Sequence, residues 1–335
     1  MRRREVLGAR LPQGSGVRFD TPSRLRPWFE STSVTNVIEV SNLTKRFGPL
    51  IAVNDVSFEV RAGEIFGLLG ENGAGKTTTI EILEGFQRAD HGTVRVLDVD
   101  PRHGHRQWRD RIGLVLQESE FDPVHTVNET LKLFAGFFSH PRDVAETLEL
   151  VGLSDKAGER VGRLSGGQKR RVDVALGIVG NPTLLFLDEP TTGFDPVARR
   201  EFWSVIKGLR DAGTSIVLTT HYMEEAERLC DRLAIMARGC IVAEGTSSSL
   251  ISAMGATTIR VEMSSEVTLD VVRSVTGADF VERDSVISVL LGDDVQEVLL
   301  RLLTWSETRG VSLRGLEVVR PTLNDVFLGA TGSEE

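Results

Sequence analysis

Two clusters of residues in this 335-residue chain have the types and spacing needed to handle phosphate. The first is GENGAGKTT, Gly70 to Thr78, directly after the apolar run EIFGLL. Gly70, Gly73 and Gly75 leave backbone N–H groups able to face phosphate oxygens, with Asn72 and Thr78 in the same loop, and the helix expected next presents its positive end. Lys76 has the reach to touch the outer phosphates, and the Thr77 hydroxyl is a ligand for magnesium. The second cluster is TLLFLDEP, where Asp188 closes an apolar run with Glu189 beside it. Asp188 suits a water-bridged magnesium ion, and Glu189 suits the orienting or deprotonating of an attacking water. Alone, such an acidic pair is more often a helix cap or a solvated turn; the glycine-rich loop upstream makes it a catalytic candidate. The chemistry the two clusters define together is hydrolysis of a bound polyphosphate.

These residues need a scaffold that brings them to one place. EIFGLLG, IGLVLQ, TLLFLDE and SIVLTTH are short continuous apolar runs, each closed by a polar residue or a glycine and separated by helical patterns. Such runs fit strands buried on both faces of a mostly parallel sheet, whose ligands sit beyond the carboxyl ends. The glycine-rich loop, Gln117, the Asp188 and Glu189 pair, and His221 therefore converge on one sheet edge. Ile38 and Val40, then Val56, Phe58 and Val60, alternate with polar residues and read as an antiparallel edge layer. Between Thr126 and Val161 the period becomes helical, with Val127, Leu131, Phe134 and Phe138 on one face, so a helical insert over about 120–175 interrupts the sheet and its apolar side chains read mostly as core. After about Gly255 the order is strand (TIRVEM), helix (TLDVVRSVTG), paired strands (FVERDSVISVLL), helix (DVQEVLLRLLTWSETRG) and strand (VSLRGLEVV). That is the order of a small split βαβ, ferredoxin-like sandwich.

Bulk properties exclude several classes. With a net charge of -9, the chain lacks the clustered basic surplus that binds nucleic-acid phosphates, so no nucleic-acid partner is expected. Its apolar runs stop well short of the roughly 18 residues a membrane span needs. Cys230 and Cys240 have neither zinc-site nor disulfide spacing and read as free thiols of a reducing, cytoplasmic compartment. Residues 1–36, rich in Arg, Pro, Gly and Ser, read as a disordered basic tail, and no apolar core follows Arg2 to Arg4 as a secretory leader would require.

Between the two phosphate clusters lies RLSGGQKRR, and Leu164 to Gln168 resembles the signature motif of ABC transporter ATPases, 20 residues ahead of Asp188. A Ser-Gly-Gly turn opening a helix is an ordinary feature, but its place between the two clusters is not. The resemblance implies an α/β P-loop NTPase core with an antiparallel β edge layer and a helical insert over 37–254, and the small α+β domain over 255–335. It implies roles for four further residues. Gln117 resembles the glutamine that senses magnesium and the attacking water, His221 the switch histidine on the terminal phosphate, Asp195 in TTGFDP the aspartate that communicates between subunits, and Phe47 in KRFG the aromatic that stacks on adenine. Phe47 departs from the more familiar Tyr, and Phe194 stands where Leu is common.

The resemblance further implies ATP and Mg2+ as cofactors and a second ATPase subunit arranged head to tail, so that Ser165, Gly167 and Gln168 of one subunit close over the ATP held by Lys76 of the other. TTHYMEEAERLCDRLAIM and PTLNDVFLGATG look like the ABC-2 type exporter group, of the daunorubicin-resistance kind, which implies an ABC-2 type transmembrane permease as partner. The coupling surface is then expected over Glu118 to Val127, with attachment to the inner face of the cell membrane through the permease. The accessory domain is expected to be non-catalytic, so that removing residues after 255 spares ATP binding. The rival reading is a soluble ABC ATPase working on nucleic acid or ribosomes. Lys76 and Ser165 are only 89 residues apart and the chain carries one cassette, which favours transport.

Overall fold

A computed structural model of the chain describes residues 35–115, 122–254, 257–291 and 294–331. The expected tail falls almost entirely outside these residues, as do Gln117 and the first part of the expected coupling segment.

The chain opens with a long hairpin, β1 (Asn36–Phe47) and β2 (Leu50–Arg61). Val53, Val56, Phe58 and Val60 of β2 are buried while Asp55, Ser57, Glu59 and Arg61 face outward, the period of two that makes a half-buried strand. β3 (Ile65–Leu69) and α1 (Lys76–Glu84) follow, then β4 (His91–Val96), α2 (Arg106–Arg109) and β5 (Ile112–Val115). Three helices come next, α3 (Val127–Ala135), α4 (Val144–Leu150) and α5 (Gly166–Val179). The sheet resumes through β6 (Leu184–Asp188), α6 (Pro196–Asp211), β7 (Ser215–Thr220), α7 (Met223–Leu229), β8 (Arg232–Ala237), β9 (Cys240–Gly245) and α8 (Ser247–Ala253).

β1, β2 and β4 form the antiparallel layer, in the order β2-β1-β4. The central sheet runs β5-β6-β7-β3-β8-β9 and is parallel except for β9. Every residue of β3 and β7 is buried. Because side chains alternate along a strand, the sheet feeds two cores. Phe66, Leu68, Leu184, Phe186 and Val217 pack toward the antiparallel layer, and Phe66 stacks on Phe58 at 5.3 Å between ring centres. Ile65, Leu185, Leu187, Ile216 and Leu218 pack on the other face against α5 and α6, through Val172, Ala175, Phe202 and Ile206.

The helical insert differs from its sequence reading at one end. Thr126 and Glu129 form a capping box that starts α3, and Val127 and Leu131 are buried as expected. The helix stops at Ala135, however, so Phe134 lies exposed, edge-on to the exposed Phe137, and Phe138 leaves the helical face to pack beside Gly180. Of the two aromatic positions in the anticipated apolar stripe, Phe134 is therefore surface and Phe138 is half-buried against Gly180.

The rest of the chain contains β10 (Thr257–Glu262), α9 (Leu269–Thr276), β11 (Val281–Arg283), β12 (Val286–Leu291), α10 (Val295–Arg309), β13 (Glu317–Val319) and α11 (Leu323–Thr331). The four strands form an antiparallel sheet in the order β11-β12-β10-β13, with its own apolar core around Ile259, Val272, Phe280, Ile287 and Leu302. α11 does not join that core. Leu323, Val326 and Phe327 pack on Leu69, Ala226, Leu233, Ile235 and Leu250 of the cassette, and the Leu323 N–H donates to Glu227 Oε1 at 3.1 Å. Cutting the chain at 255 would thus strip part of the cassette's own apolar core, which the expectation of a separable domain did not foresee. Phe327→Ala is expected to destabilise the protein by about 3 kcal/mol or more, seen as a lower urea midpoint. Leu300→Ala, at an exposed position of α10, is expected to stay within about 0.5 kcal/mol of wild type.

Candidate functional site

β3 ends at the carboxyl edge of the central sheet, and the loop Gly70 to Gly75 turns the chain into α1. Gly75 is required there on two counts. Its φ of +104° is left-handed, and a Cβ at this position would sit 2.4 Å from the Ala52 carbonyl oxygen. α1 has no side-chain cap at its N-terminus, so its first N–H groups face outward from the loop. Lys76 lies over the loop, 5% exposed, donating to the carbonyls of Gly70 at 2.8 Å and Glu71 at 3.1 Å. Burial draws the Lys76 ammonium below its ordinary range, opposed by the charges of Glu189 and Asp188.

Phe47, Asn72, Gly73, Gly75, Lys76, Thr77, Thr78 and Glu189 line one cavity of about 440 Å³, together with Leu50, Ile51 and Ala52 from β2. The hairpin supplies its apolar end and the loop its polar end, the division a nucleotide's base and phosphates require. Gly70 does not line it and serves as an acceptor for Lys76.

At the end of β6, Glu189 adopts φ +42°, a left-handed backbone that costs a non-glycine residue roughly 1–3 kcal/mol. Its side chain lies between Lys76 and His221, Oε1 being 3.8 Å from Lys76 Nζ and 3.4 Å from His221 Nδ1, while the Thr192 hydroxyl donates to Oε2 at 3.3 Å. Asp188 accepts a hydrogen bond from the Thr219 hydroxyl, and that same oxygen accepts the Glu189 N–H at 2.9 Å. The parallel register pairs Asp188 with Thr219, so adjacent strands set this arrangement. The His221 and Tyr222 rings lie 4.1 Å apart between centres, tilted by 40°, and the Arg199 guanidinium lies 4.3 Å from the Tyr222 ring centre.

Ser165, Gly167 and Gln168 lie elsewhere. They line a second cavity, of about 300 Å³, with Asp155, Lys156, Arg171, Ala198 and Glu201, and the two cavities have no lining residue in common. Ser165 and Gln168 form a capping box at the start of α5. Asp195 lines neither cavity. It caps α6 by accepting from the N–H groups of Val197 and Ala198, which holds its carboxyl below the ordinary range. Gln117 lies outside the described residues.

Three participants escaped the sequence reading. Thr219 is one of two threonines before His221, and only the strand order shows that it faces Asp188. Arg170 sits in the run Lys169-Arg170-Arg171 and is the buried member of it. Glu84 closes α1, and its burial, reinforced by the charges of Asp188 and Glu81, pushes its carboxyl up to about 8.

A phosphate-binding loop at the carboxyl edge of a parallel sheet, with a carboxylate pair facing it, defines the P-loop ATPases. The family model described as ABC transporter matches residues 53–192. Over 308 residues the chain is 39% identical to the Nod factor export ATP-binding protein I of Burkholderia lata, covering 89% of this chain and 97% of that protein. Over 312 residues it is 36% identical to the daunorubicin/doxorubicin resistance ATP-binding protein DrrA of Streptomyces peucetius, covering 90% and 94%. A solved ATP-binding cassette of an ABC transporter, in its ADP conformation, superposes with a TM-score of 0.58 at 25% identity over 64% of this chain and 92% of that one. The chain belongs to the ABC transporter family, as one of its ATP-binding, ATP-hydrolysing subunits. The rival reading as a nucleic-acid or ribosome ATPase finds no support among these relatives.

Glu84 holds its proton in the folded chain up to about pH 8, but sheds it near pH 4.5 once unfolded. The stability it contributes is therefore complete below about pH 4.5 and declines as the pH climbs toward 8. The nucleotide-free protein is expected to lose on the order of a few kcal/mol from this group between those limits, and Glu84→Gln to remove that part of the slope. Melting temperatures of both proteins across this range decide the matter; parallel curves would contradict it.

Proposed function

We propose that this chain is the motor subunit of a two-cassette exporter, binding ATP in the cavity between Phe47 and the Gly70 to Thr78 loop and hydrolysing it with Glu189. The observation that carries this reading is the separation of the two cavities. The loop, Lys76 and Glu189 face one, and the Ser165 turn faces another, so a single chain offers two halves of a nucleotide site that do not meet. Two chains head to tail bring each Ser165 half onto the other's Lys76 half.

Adenine stacks on Phe47, which is 44% exposed. The triphosphate takes the N–H groups at the start of α1 and the Lys76 ammonium. Glu189 accepts the proton of the attacking water, and its place between Lys76 and His221 keeps the carboxylate aimed across the phosphate end. His221 contacts the terminal phosphate, Gln117 senses the attacking water, and Asp195 holds the start of α6 for communication between the subunits. Thr77 and Asp188 would hold Mg2+. They are the hard oxygen donors that ion prefers, phosphates and water completing its shell, and the Thr77 hydroxyl opens into the cavity. When bound, the ion neutralises charge on the phosphates.

The membrane partner is an ABC-2 type permease, docked on the helical insert where Val124, Leu133, Phe134 and Phe137 are exposed. Among the described residues no helix is long and apolar enough to cross a membrane, and the permease supplies attachment to the inner face of the cell membrane. The cargo is a drug, lipid or other hydrophobic compound, in keeping with the drug-resistance and Nod factor export relatives. The sheet over 257–319 is non-catalytic.

Glu189→Gln is expected to lower kcat by about 10²–10⁴-fold while sparing ATP binding, and to convert the protein into an ATP-dependent dimer on light scattering. Lys76→Ala is expected to abolish ATP binding. Undiminished turnover in Glu189→Gln, or a mass that stays monomeric with ATP present, would overturn the assignment.

A further inference from the structure

Arg170 is a charged residue that the mechanism leaves without a task. It lies on α5, the helix that begins at Ser165, and its guanidinium is almost wholly buried. Nε donates to the Pro190 carbonyl at 3.0 Å, and one Nη donates to the Asp188 carbonyl at 3.1 Å. These two carbonyls flank Glu189. Nη1 lies 3.5 Å from Asp173 Oδ2, on the same helix.

Between those anchors Glu189 has its left-handed backbone, which the chain adopts only where its surroundings impose it. The other backbone groups of the turn are also engaged: the Glu189 N–H with Thr219, the Glu189 carbonyl with the Thr192 N–H at 3.3 Å. Thr219 and Thr192 belong to the sheet and to the turn itself. Arg170 alone among these partners comes from the helix that carries the Ser165 half-site. A guanidinium is planar, and its N–H groups diverge at fixed angles, so a shift of the helix cannot be absorbed by rotation of the donor as it can with an ammonium.

We propose that Arg170 is the positioning residue that holds Glu189 in its catalytic conformation and ties that conformation to the Ser165 helix, so that engagement of one subunit's Ser165 turn by the partner's nucleotide bears on the same subunit's own catalytic carboxylate. The inference rests on the reading of Glu189 as the group that activates water. It adds a direction to the communication between the two sites, running through α5 to the end of β6. Lys169 and Arg171, the neighbours of Arg170, do not serve: Arg171 turns to Glu201 and the Val151 carbonyl, and Lys169 is only partly buried.

The test uses the full chain with ATP and magnesium, together with its permease where the complex is obtained. Arg170→Gln removes the double anchor, and kcat is expected to fall about 100-fold, the loss that small misplacement of a reacting group brings. KM for ATP and binding of a fluorescent ATP analogue are expected to stay within about twofold, because the ground-state contacts lie on the other cavity wall. Asp173→Asn keeps the carbonyl anchors and is expected to keep kcat within about threefold. The double variant Arg170→Gln/Asp173→Asn leaves no lone buried carboxylate and is expected to show the same kcat loss as Arg170→Gln. Wild-type kcat in either protein lacking Arg170 overturns the proposal, as does an equal loss in Asp173→Asn, which would mark the effect as one of folding. Glu189→Gln separates the two questions. If it abolishes turnover while Arg170→Gln does not, the anchoring idea alone fails; if it leaves turnover intact, the catalytic reading of Glu189 fails first.

Discussion

The ammonium of Lys76, buried against the carbonyls of the phosphate loop, is the charge around which the site is balanced. A cation this deep is stable only among acceptors, and here it has two loop carbonyls and, at longer range, the carboxylates of Glu189 and Asp188. The arrangement ties the loop to the acidic pair through one side chain. It also explains why the loop is rich in glycine: bringing the chain so close to Ala52 and Met236 leaves no room for a Cβ at Gly75 or Gly70. A polyphosphate entering the cavity offers Lys76 a stronger set of oxygens than the loop carbonyls do. On the proposed reading, nucleotide binding is an exchange of partners at Lys76, which leaves Glu189 to act on water.

The same balance sets the acid side. Glu84 closes α1, and its carboxyl is pushed up to about 8 by burial first and then by the charges of Asp188 and Glu81. Glu189 has Lys76 and His221 beside it, and Asp188 accepts from the Thr219 hydroxyl. In the folded chain Glu84 keeps its proton to about pH 8. The two carboxylates assigned to chemistry are thus the ones with cationic or hydroxyl partners.

Much of this was legible in the chain itself. Phosphate loops announce themselves because backbone geometry demands glycine at fixed offsets, and buried parallel strands because they are apolar without interruption, as in SIVLTT. What sequence could not show was anything that depends on which strands are neighbours or which side of a helix faces inward. Thr219 reads as strand filler until β6 and β7 are seen paired. Arg170 is hidden in a basic triplet, where helical period alone does not decide which member is buried. Helical period carries Phe134 and Phe138 onto one apolar face only if the helix continues past Gly136, and the end of α3 at Ala135 puts Phe134 on the surface. α11 packs on the cassette through Leu323, Val326 and Phe327, a pattern that sequence cannot assign to one apolar core over another.

The second half-site carries its own constraint. In the single chain two donors of the first turn of α5 are engaged internally, Ser165 Oγ accepting from the Gln168 N–H at 3.3 Å and Gln168 Oε1 accepting from the Ser165 N–H at 3.0 Å. On the proposed reading, a phosphate of the partner's nucleotide competes for these same groups. The free energy of closure is then the difference between two sets of hydrogen bonds rather than the gross value of the new set, which is small for neutral acceptors and larger for a charged one. If the proposed head-to-tail pairing holds, such a half-site closes on a highly charged terminal phosphate and relaxes to its capping box once that charge departs, so reversibility follows from the helix cap.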